Sequence, residues 1–210
     1  MIDGPLFPVH LRLTGRRCLV VGGGRVAARK VHNLVECGAL VTVVAPEVAE
    51  ELEALPGVVC ERRSYRSGEV AGFRFVVAAT GDPDVDGEVF RDGESAGVWV
   101  NAADDPEHCS AVLPAVTRRG PIVATFSTSG RSPAMASWLR RRYEDELGPE
   151  HLVLLDLLAE QRDRLRGEGR PTEGLDWQEA LDSGMLDLVR EGNLAEAKER
   201  LEACLSSSSG

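Results

Sequence analysis

The chain has 210 residues, of which 43% are hydrophobic and 28% are charged, and its formal net charge at pH 7 is −10. This composition is typical of a globular protein with a real core, and the negative charge argues against broad nucleic-acid binding. No apolar run is long enough to span a membrane, and the first residues carry no secretory pattern. The five cysteines form no C-x-x-C pair, which favours a reducing cytoplasm.

The clearest functional signal is a glycine-rich turn between a predicted strand and a predicted helix. The predicted strand at 17–21 ends in the apolar run Leu19–Val21, which stops at three glycines, and a helical pattern follows at once. Gly22 lets the chain turn sharply, and Gly24 leaves room for a pyrophosphate, which the amides and dipole of the helix start attract. Ala27 fills the third small position of G-x-G-x-x-[G/A]. We therefore predict a dinucleotide site, and we expect Gly22→Val to abolish NAD binding without unfolding the protein.

The alternation of apolar strands with helical patterns continues through residue 101 and predicts a doubly wound parallel sheet. The predicted elements are an edge segment or strand at 6–13, a strand at 17–21, a helix at 25–37, a strand at 39–45, a short helix at 48–55, a strand at 58–60, a strand at 73–79, a helix at 83–96 and a strand at 97–101.

Beyond residue 101 the pattern changes. Two apolar segments separated by a glycine turn predict an antiparallel hairpin, and a polar loop with Ser132 and Pro133 at its end predicts a helix start. The predicted elements are strands at about 110–116 and 121–127, a helix at 133–147, a helix at 150–166, and two or three short helices within 175–205.

Several polar residues follow the predicted strands, at the carboxyl edge where parallel sheets bind ligands. Pro46 and Glu47 follow the second strand. Glu47 could hold the adenosine ribose, or it could be an ordinary acid at a helix start. No arginine stands at this corner to receive a 2′-phosphate, which favours NAD over NADP. Thr80 ends the fourth strand and Asn101 the fifth, and we assign both to the cofactor site.

Asp104 is the best single catalytic candidate, because it follows the fifth strand where the nicotinamide is expected. A carboxylate there could accept a proton while a hydride leaves to the cofactor. It could equally form a turn, as Asp105 and Pro106 do. Residues 104–109 contain four metal-binding side-chain types, but consecutive residues rarely converge on one ion, so we predict no metal site.

The polar loop before the predicted helix at 133–147 offers groups that could bind carboxylates. Hydroxyls, backbone amides and one guanidinium are available there, and Arg118 and Arg119 could join them. Alternatively, the loop is simply solvated and caps the helix. The candidate substrate-binding residues are Ser127, Thr128, Ser129, Arg131 and Ser132.

An ordered set of motifs closely resembles the precorrin-2 dehydrogenase module of siroheme synthesis, which stands alone in some organisms and forms the N-terminal part of siroheme synthase in others. The resemblance covers residues 1 to about 165 well and the C-terminal helices loosely. The motifs are Phe7-Pro8, VVGGGRVAARK at 20–30, GALVTVVAP at 38–46, VVAAT at 76–80, VNAADDP at 100–106 and STSGRSPAMASWLR at 127–140.

The resemblance implies NAD-dependent oxidation of precorrin-2 to sirohydrochlorin by a homodimer built through the hairpin and the following helix. It implies that Asp104 is the functional carboxylate and that the serine-rich loop binds substrate. The family's NAD-contact positions correspond to the glycine turn with Arg25 and Val26, and to Pro46 and Glu47. Some members also insert Fe²⁺ into sirohydrochlorin. Asp104 and His108 could serve as bases in that step, but the sequence does not separate the two kinds of member.

We therefore predict an α/β protein that binds NAD and a tetrapyrrole, with Fe²⁺ or Co²⁺ as a further substrate if it also chelates. Two alternatives remain open: a non-catalytic NAD-sensing module, and a dehydrogenase of the same fold for another substrate. The predicted parts are a Rossmann-like parallel-sheet domain at 1–113, a small α+β dimerisation region at 114–149, a helical domain at 150–205 and a disordered tail at 206–210.

Overall fold

The structure, a computed structural model, describes residues 4–207 and divides the chain into two compact units. One unit comprises the residues up to Pro114 together with Ser127–Pro133. The other comprises Ala115–Phe126 and the residues from Ala134 onward. The dividing point after Pro114 lies one residue beyond the predicted boundary. The regions predicted as 114–149 and 150–205 lie together in the second unit, except for the serine-rich loop, which belongs to the first.

The first unit contains five parallel strands in the order β3-β2-β1-β4-β5, which confirms the predicted doubly wound sheet. The first strand is central because both β2 and β4 pair with it. This order reverses direction at β1, so ligands are expected at the carboxyl ends of β1 and β4. The strands are β1 Arg17–Val21, β2 Leu40–Ala45, β3 Val58–Arg62, β4 Phe75–Ala78 and β5 Trp99–Ala102.

Helices cover both faces of this sheet. Along β1, Cys18 and Val20 face one hydrophobic cluster, while Leu19 and Val21 face another. The first cluster includes buried residues of α1 and the second includes Val89 of α3, so each helix covers its own face through an apolar stripe. The elements are α1 Arg25–Glu36, α2 Glu50–Glu53, α3 Pro83–Ala96 and a 3₁₀ turn at Pro106–His108.

The predicted strand or edge segment at 6–13 is wrong as a strand. Phe7, Val9 and Leu11 alternate as a strand would, but these side chains are exposed, and Phe7 is 87% exposed. The outer edges of the sheet lie on β3 and β5, and the described part of the segment pairs with neither. Of the predicted segment, only Leu13 reaches the core.

The second unit combines a two-stranded antiparallel hairpin with helices packed around an apolar cluster. The first hairpin strand begins later than predicted because residues 110 and 111 bond to β5 instead. A kinked turn at Leu181–Met185, where Gly184 has a φ of +86°, separates two short helices. The elements are β6 Ala115–Arg119, β7 Ile122–Phe126, α4 Pro133–Glu146, α5 Glu150–Gly167, α6 Trp177–Ala180, α7 Leu186–Arg190 and α8 Leu194–Ser207.

The last helix corrects the predicted tail at 206–210. Residues 206 and 207 continue α8, because the helical pattern of Leu201 and Leu205 carries the backbone one turn further. The rest of the predicted tail, 208–210, lies outside the described residues. Among residues 4–207, no helix combines the length and the apolar character that crossing a membrane requires.

Candidate dinucleotide and active site

The three glycines after β1 serve different purposes. A Cβ on Gly22 would lie 2.2 Å from the carbonyl oxygen of Ala79, and one on Gly23 would lie 2.1 Å from the carbonyl oxygen of Glu47. The chain needs glycine at both positions because neighbouring backbone fills that space. A Cβ on Gly24, by contrast, would meet nothing within 4 Å. Gly24 therefore borders open space, as a phosphate-binding position requires.

The geometry of Gly22 changes one expectation. Its φ of +121° strains any residue with a side chain, and a valine there would collide with the backbone after β4. Gly22→Val would therefore disturb the sheet edge itself, contrary to our expectation that the fold would survive. Gly24, with a φ of −86°, is the position where a side chain can be added without that strain.

The start of α1 borders the same open space. The first intrahelical bond runs from the amide of Ala28 to the carbonyl of Gly24 at 2.9 Å, so the amides of residues 25–27 precede the helical ladder. No side chain caps this helix, and Arg25 and Val26 are exposed. Free amides and the positive end of the helix dipole suit a pyrophosphate.

The corner after β2 packs directly on the glycine turn. Pro46 and Glu47 are exposed, and the amide of Ala49 donates to the carbonyl of Gly23 at 3.0 Å. This contact ties the predicted adenosine corner to the predicted phosphate site. The local sequence did not reveal Gly23 as a contact residue, because Glu47 is distant along the chain.

An arginine also reaches this corner, which the local sequence did not indicate. Arg62, at the end of β3, donates from Nη2 to the carbonyl of Val48 at 3.5 Å. The same side chain forms a salt bridge with Glu53 at 2.9 Å. The guanidinium therefore has a carboxylate partner already.

Thr80 lies beside the glycine turn, but its side chain is engaged at the start of α3. Its Oγ1 donates to Asp86 Oδ1 at 2.7 Å and accepts from the amide of Asp82 at 3.0 Å. Asp86 is only 5% exposed and was missed by the sequence reasoning. The backbone of Thr80, whose amide also donates to Asp86, remains at the edge where a cofactor would lie.

Asn101 is buried in β5, and its side chain hydrogen bonds to the segment that follows this strand. Its Nδ2 donates to the carbonyl of Ala111 at 3.0 Å, and its Oδ1 has no hydrogen-bond partner among the described residues. An unpaired buried amide oxygen is costly, so it marks a place where a further donor would be stabilising. Cofactor binding by Asn101 stays a prediction.

The two consecutive aspartates after β5 have different surroundings. Asp105 Oδ2 lies 2.6 Å from His108 Nδ1, and its Oδ1 accepts from the amide of Glu107. The hydrogen bond from His108 lowers the pKa of the Asp105 carboxyl. Asp104 is exposed, has a φ of +61°, and has no described hydrogen bond, so its carboxylate is the one available to a ligand.

Lys30 and Cys109 are residues of this region to which the sequence reasoning gave no role. Burial lowers the pKa of the Lys30 ammonium, Arg29 lowers it further, and the negative charge of Asp104 opposes that shift. A half-buried cation on α1 therefore lies close enough to the candidate catalytic carboxylate for the two charges to interact. Its only sequence signal is its place at the end of the VVGGGRVAARK motif.

The serine-rich loop is compact and belongs to the first unit. Thr128 Oγ1 accepts from the amide of Ser132 at 3.0 Å, and Ser127 Oγ accepts from the amide of Ser129 at 3.3 Å. Ser129 has a φ of +52°, and Arg131 is exposed. The hydroxyls keep their own protons for donation to an anion. Substrate binding by these residues stays a prediction.

Arg119, which belongs to the second unit, donates from Nε to the carbonyl of Leu147 at 2.8 Å. Its participation in substrate binding stays a prediction. Across residues 4–207, no three His, Cys, Asp or Glu side chains cluster as a bound metal would need.

A known protein family matches the part of the chain that contains the glycine turn. Residues 9–115 match a family model described as NAD(P)-binding, which is more than half of the chain. The chain belongs to this NAD(P)-binding family. The matched range ends at the boundary of the first unit, so the open space beside Gly24 lies in the part that defines the family.

Curated relatives extend the similarity beyond that domain. The chain is 33% identical over 203 residues to a siroheme synthase of Nitrosococcus oceani, covering 94% of this chain and 43% of that protein. It is 34% identical over 206 residues to a siroheme synthase of Azotobacter vinelandii, covering 95% and 44%. The chain therefore spans less than half the length of the curated relatives it matches.

A solved structure is similar over the full length. SirC, described as a precorrin-2 dehydrogenase, superposes with a TM-score of 0.72 at 27% sequence identity, covering 95% of this chain and 98% of that chain. This match and the family assignment confirm the predicted Rossmann-like fold with a helical C-terminal region. They also confirm that the cofactor class is a nicotinamide dinucleotide.

Proposed function

We propose that this protein oxidises precorrin-2 to sirohydrochlorin in siroheme biosynthesis, with NAD⁺ as the hydride acceptor. The observation that carries the proposal is the full-length similarity to SirC, which extends to the helical C-terminal region as well as the dinucleotide domain. A dinucleotide domain alone would fit many dehydrogenases, because fold does not determine substrate.

The residues of the first unit fit a dinucleotide. Gly24 leaves the open space, and the free amides of Arg25 and Val26 at the start of α1 supply donors for the pyrophosphate. Glu47, exposed at the corner beside Gly23, is suited to the adenosine ribose of NAD. The backbone of Thr80 borders the same edge. Bound NAD⁺ would supply the hydride acceptor.

The chain's own groups would then position the substrate and take a proton. Asp104 accepts the proton that leaves as the tetrapyrrole loses a hydride, because its carboxylate is exposed and has no described hydrogen bond. The hydroxyls of Ser127 and Thr128 and the guanidinium of Arg131 bind substrate carboxylates. Conjugation in the product supplies much of the driving force, so the protein contributes mainly by positioning.

The active form we propose is a homodimer. In the second unit, α4 leaves Met135, Trp138 and Tyr143 about half exposed, although such side chains are usually covered. Tyr143 also contacts Phe126 of the hairpin at 5.0 Å between ring centroids, so helix and hairpin form one apolar surface. A second copy is the occupant that the family resemblance indicates.

The five free cysteines support a reducing cytoplasm as the location.

Turnover of precorrin-2 tests the proposal. Purified protein, NAD⁺ and freshly made precorrin-2 are mixed without metal, and NADH absorbance and the sirohydrochlorin spectrum are recorded. The expected result is NADH formation in step with sirohydrochlorin. Binding of NAD⁺ without turnover would contradict the proposal and favour an NAD-sensing module. Adding Fe²⁺ or Co²⁺ to the finished reaction tests metal insertion separately.

Two glycine variants connect this activity to the predicted cofactor site. Gly24→Val fills the open space beside the helix start and should remove NAD⁺ binding while the protein stays folded. Gly167→Val is the matched control, because a Cβ there also meets nothing within 4 Å and Gly167 lies at the end of α5. Unimpaired NAD⁺ binding by Gly24→Val would contradict the assigned pyrophosphate position.

A further inference from the structure

The loop at 103–110 carries the candidate catalytic carboxylate, and its two ends are tied together beside β5. The amides of Ser110 and Ala111 donate to the carbonyl of Val100 at 3.0 and 2.9 Å. Asn101 Nδ2 donates to the carbonyl of Ala111 at 3.0 Å. The loop therefore leaves the end of β5 and returns to hydrogen bond with the same strand.

The loop contains one cysteine, Cys109. Cys109 Sγ is 3.2 Å from the carbonyl oxygen of Ala102 and 3.2 Å from that of Asp105. These two carbonyls flank residues 103 and 104 in the chain. Asn101 Nδ2 approaches the sulfur to 3.5 Å. Burial raises the pKa of the Cys109 thiol, so the thiol keeps its one proton, which it shares between the two carbonyls.

The backbone between those carbonyls is in an uncommon conformation. Asp104 has a φ of +61°, a left-handed conformation that costs non-glycine residues about 1–2 kcal/mol, although aspartate tolerates it better than most. Such a conformation persists where its surroundings hold it. On one side, the amide of Ala103 donates to the carbonyl of Ala78 at 2.8 Å. On the other side, the Asp105 carbonyl accepts from the Cys109 thiol at 3.2 Å and from the amide of His108 at 3.3 Å.

We infer that Cys109 is a positioning residue for Asp104. Its thiol bridges the backbone before and after Asp104, which holds the left-handed turn and leaves the Asp104 carboxylate exposed. This role deepens the proposed function and rests on it, because it matters for catalysis only if Asp104 takes part in the reaction. Cys109 touches neither substrate nor cofactor in this role.

The first test measures the loop without using activity. Hydrogen–deuterium exchange of the peptide containing residues 103–110 is followed in the full chain. Cys109→Ala should speed exchange there about tenfold or more, because the loop opens locally more often. Cys109→Ser keeps a donor and should restore much of the protection. Cys60→Ala, which truncates a half-buried thiol in β3, should leave this peptide unchanged.

The second test asks whether Cys109 acts through Asp104. Cys109→Ala should lower kcat about tenfold with little change in the KM for NAD⁺, and Cys109→Ser should recover most of it. In an Asp104→Ala background, adding Cys109→Ala should cause no further loss, because coupled residues are not additive. A full additional loss in that background would overturn the positioning role.

The two proposals fail in distinguishable ways. One outcome is that the wild-type protein fails to oxidise precorrin-2 while Cys109→Ala still speeds exchange in the 103–110 peptide. In that case the proposed function is wrong, and Cys109 still holds the backbone around Asp104. If the wild-type protein turns over and Cys109→Ala changes neither exchange nor kcat, the inference about Cys109 is wrong and the proposed function stands. Exchange of the β1 and β2 peptides checks that each variant remains folded.

Discussion

His108 Nδ1 lies 2.6 Å from Asp105 Oδ2, which binds the second of two consecutive aspartates into a local pair and leaves Asp104 outside it. The pair spans the 3₁₀ turn Pro106–His108, which residues 103–105 separate from the end of the fifth strand. Its two side chains are each about one third exposed, so the pair is accessible to solvent titration. Because of this contact, Asp104 and Asp105 have different surroundings although the two side chains are chemically identical.

The pair predicts a specific acid dependence of stability. The hydrogen bond from His108 lowers the pKa of Asp105 below its ordinary value of 3.8. The pair's contribution is therefore complete above that value and is lost as the pH falls through the lowered pKa. We expect the difference in urea midpoint between wild type and Asp105→Asn to shrink as the pH falls below about 4.

Asp104→Asn is the matched control for that measurement, because the structure gives the Asp104 carboxylate no hydrogen bond. Its urea midpoint should follow the wild-type pH profile. If Asp104→Asn removed the acid dependence and Asp105→Asn did not, the assignment of the two carboxylates would be reversed.

The middle glycine of the turn should be more sensitive to alanine than the last one. Gly23→Ala would place a methyl group 2.1 Å from the Glu47 carbonyl, so the backbone must shift, at a cost of about 1–3 kcal/mol. Gly24→Ala meets nothing within 4 Å and should stay within about 0.5 kcal/mol of wild type. Equilibrium unfolding in urea measures both. Equal stability of the two variants would show that the β2–α2 corner does not pack on Gly23.

Removal of the Asp104 carboxylate should act on turnover and not on cofactor affinity. Loss of a general base typically costs about 100- to 10,000-fold in rate, so Asp104→Ala should lower kcat with precorrin-2 within that range. Titration with NAD⁺ should give an affinity near that of wild type. Asp104→Asn, which also tolerates a left-handed backbone, separates loss of the carboxylate from loss of the turn and should be nearly as inactive. Equal losses of turnover and NAD⁺ affinity would indicate a structural role instead.

The cofactor corner should favour NAD⁺ over NADP⁺. Glu47 is exposed there and would repel a 2′-phosphate, while the guanidinium of Arg62 is already paired with Glu53. We expect kcat/KM to favour NAD⁺ by at least about tenfold, equal to about 1.4 kcal/mol. Glu47→Gln should narrow this ratio, and Glu50→Gln, an exposed acid in α2, should not. A preference for NADP⁺ would show that Arg62 is free to bind the phosphate.

The exposed face of α4 should control the oligomeric state. Trp138 is 48% exposed, so Trp138→Glu would place a charge in the proposed contact between two copies and should give a monomer in sedimentation velocity. Trp99, which is 55% exposed in the first unit, provides the control variant Trp99→Glu, which should remain dimeric. A wild-type monomer at all concentrations, or a dimer that tolerates Trp138→Glu, would contradict this interface.

The elements that the sequence predicts well are those whose signals are local. The segments at 17–21, 39–45 and 73–79, predicted as strands from their apolar runs, contain β1, β2 and β4. The strand prediction at 6–13 failed for the opposite reason. Its alternation is genuine, but the apolar side chains of Phe7, Val9 and Leu11 remain exposed, so no packing of these residues against the core holds the segment beside the sheet.

The candidate site shows the same division. The motif predicts the role of Gly24 and the start of α1, because glycine is needed there to leave room for a ligand. The reasons for Gly22 and Gly23 are backbone contacts with Ala79 and Glu47, which no local pattern contains. Likewise, the proximity of Lys30 to Asp104 depends on how α1 packs on the sheet, and the contacts of Cys109 depend on the path of the loop after β5.

The chain passes between its two compact units at residues 114–115, 126–127 and 133–134. Neither unit can therefore be excised as one continuous gene fragment. A truncation after Pro114 would retain the glycine turn and Asp104 but lose the hydroxyl-bearing loop that completes the first unit. On the ribosome, the parallel sheet emerges first, the hairpin of the second unit follows, and only then does Ser127–Pro133 become available. The final segment of the first unit is thus synthesised only after the hairpin of the second unit.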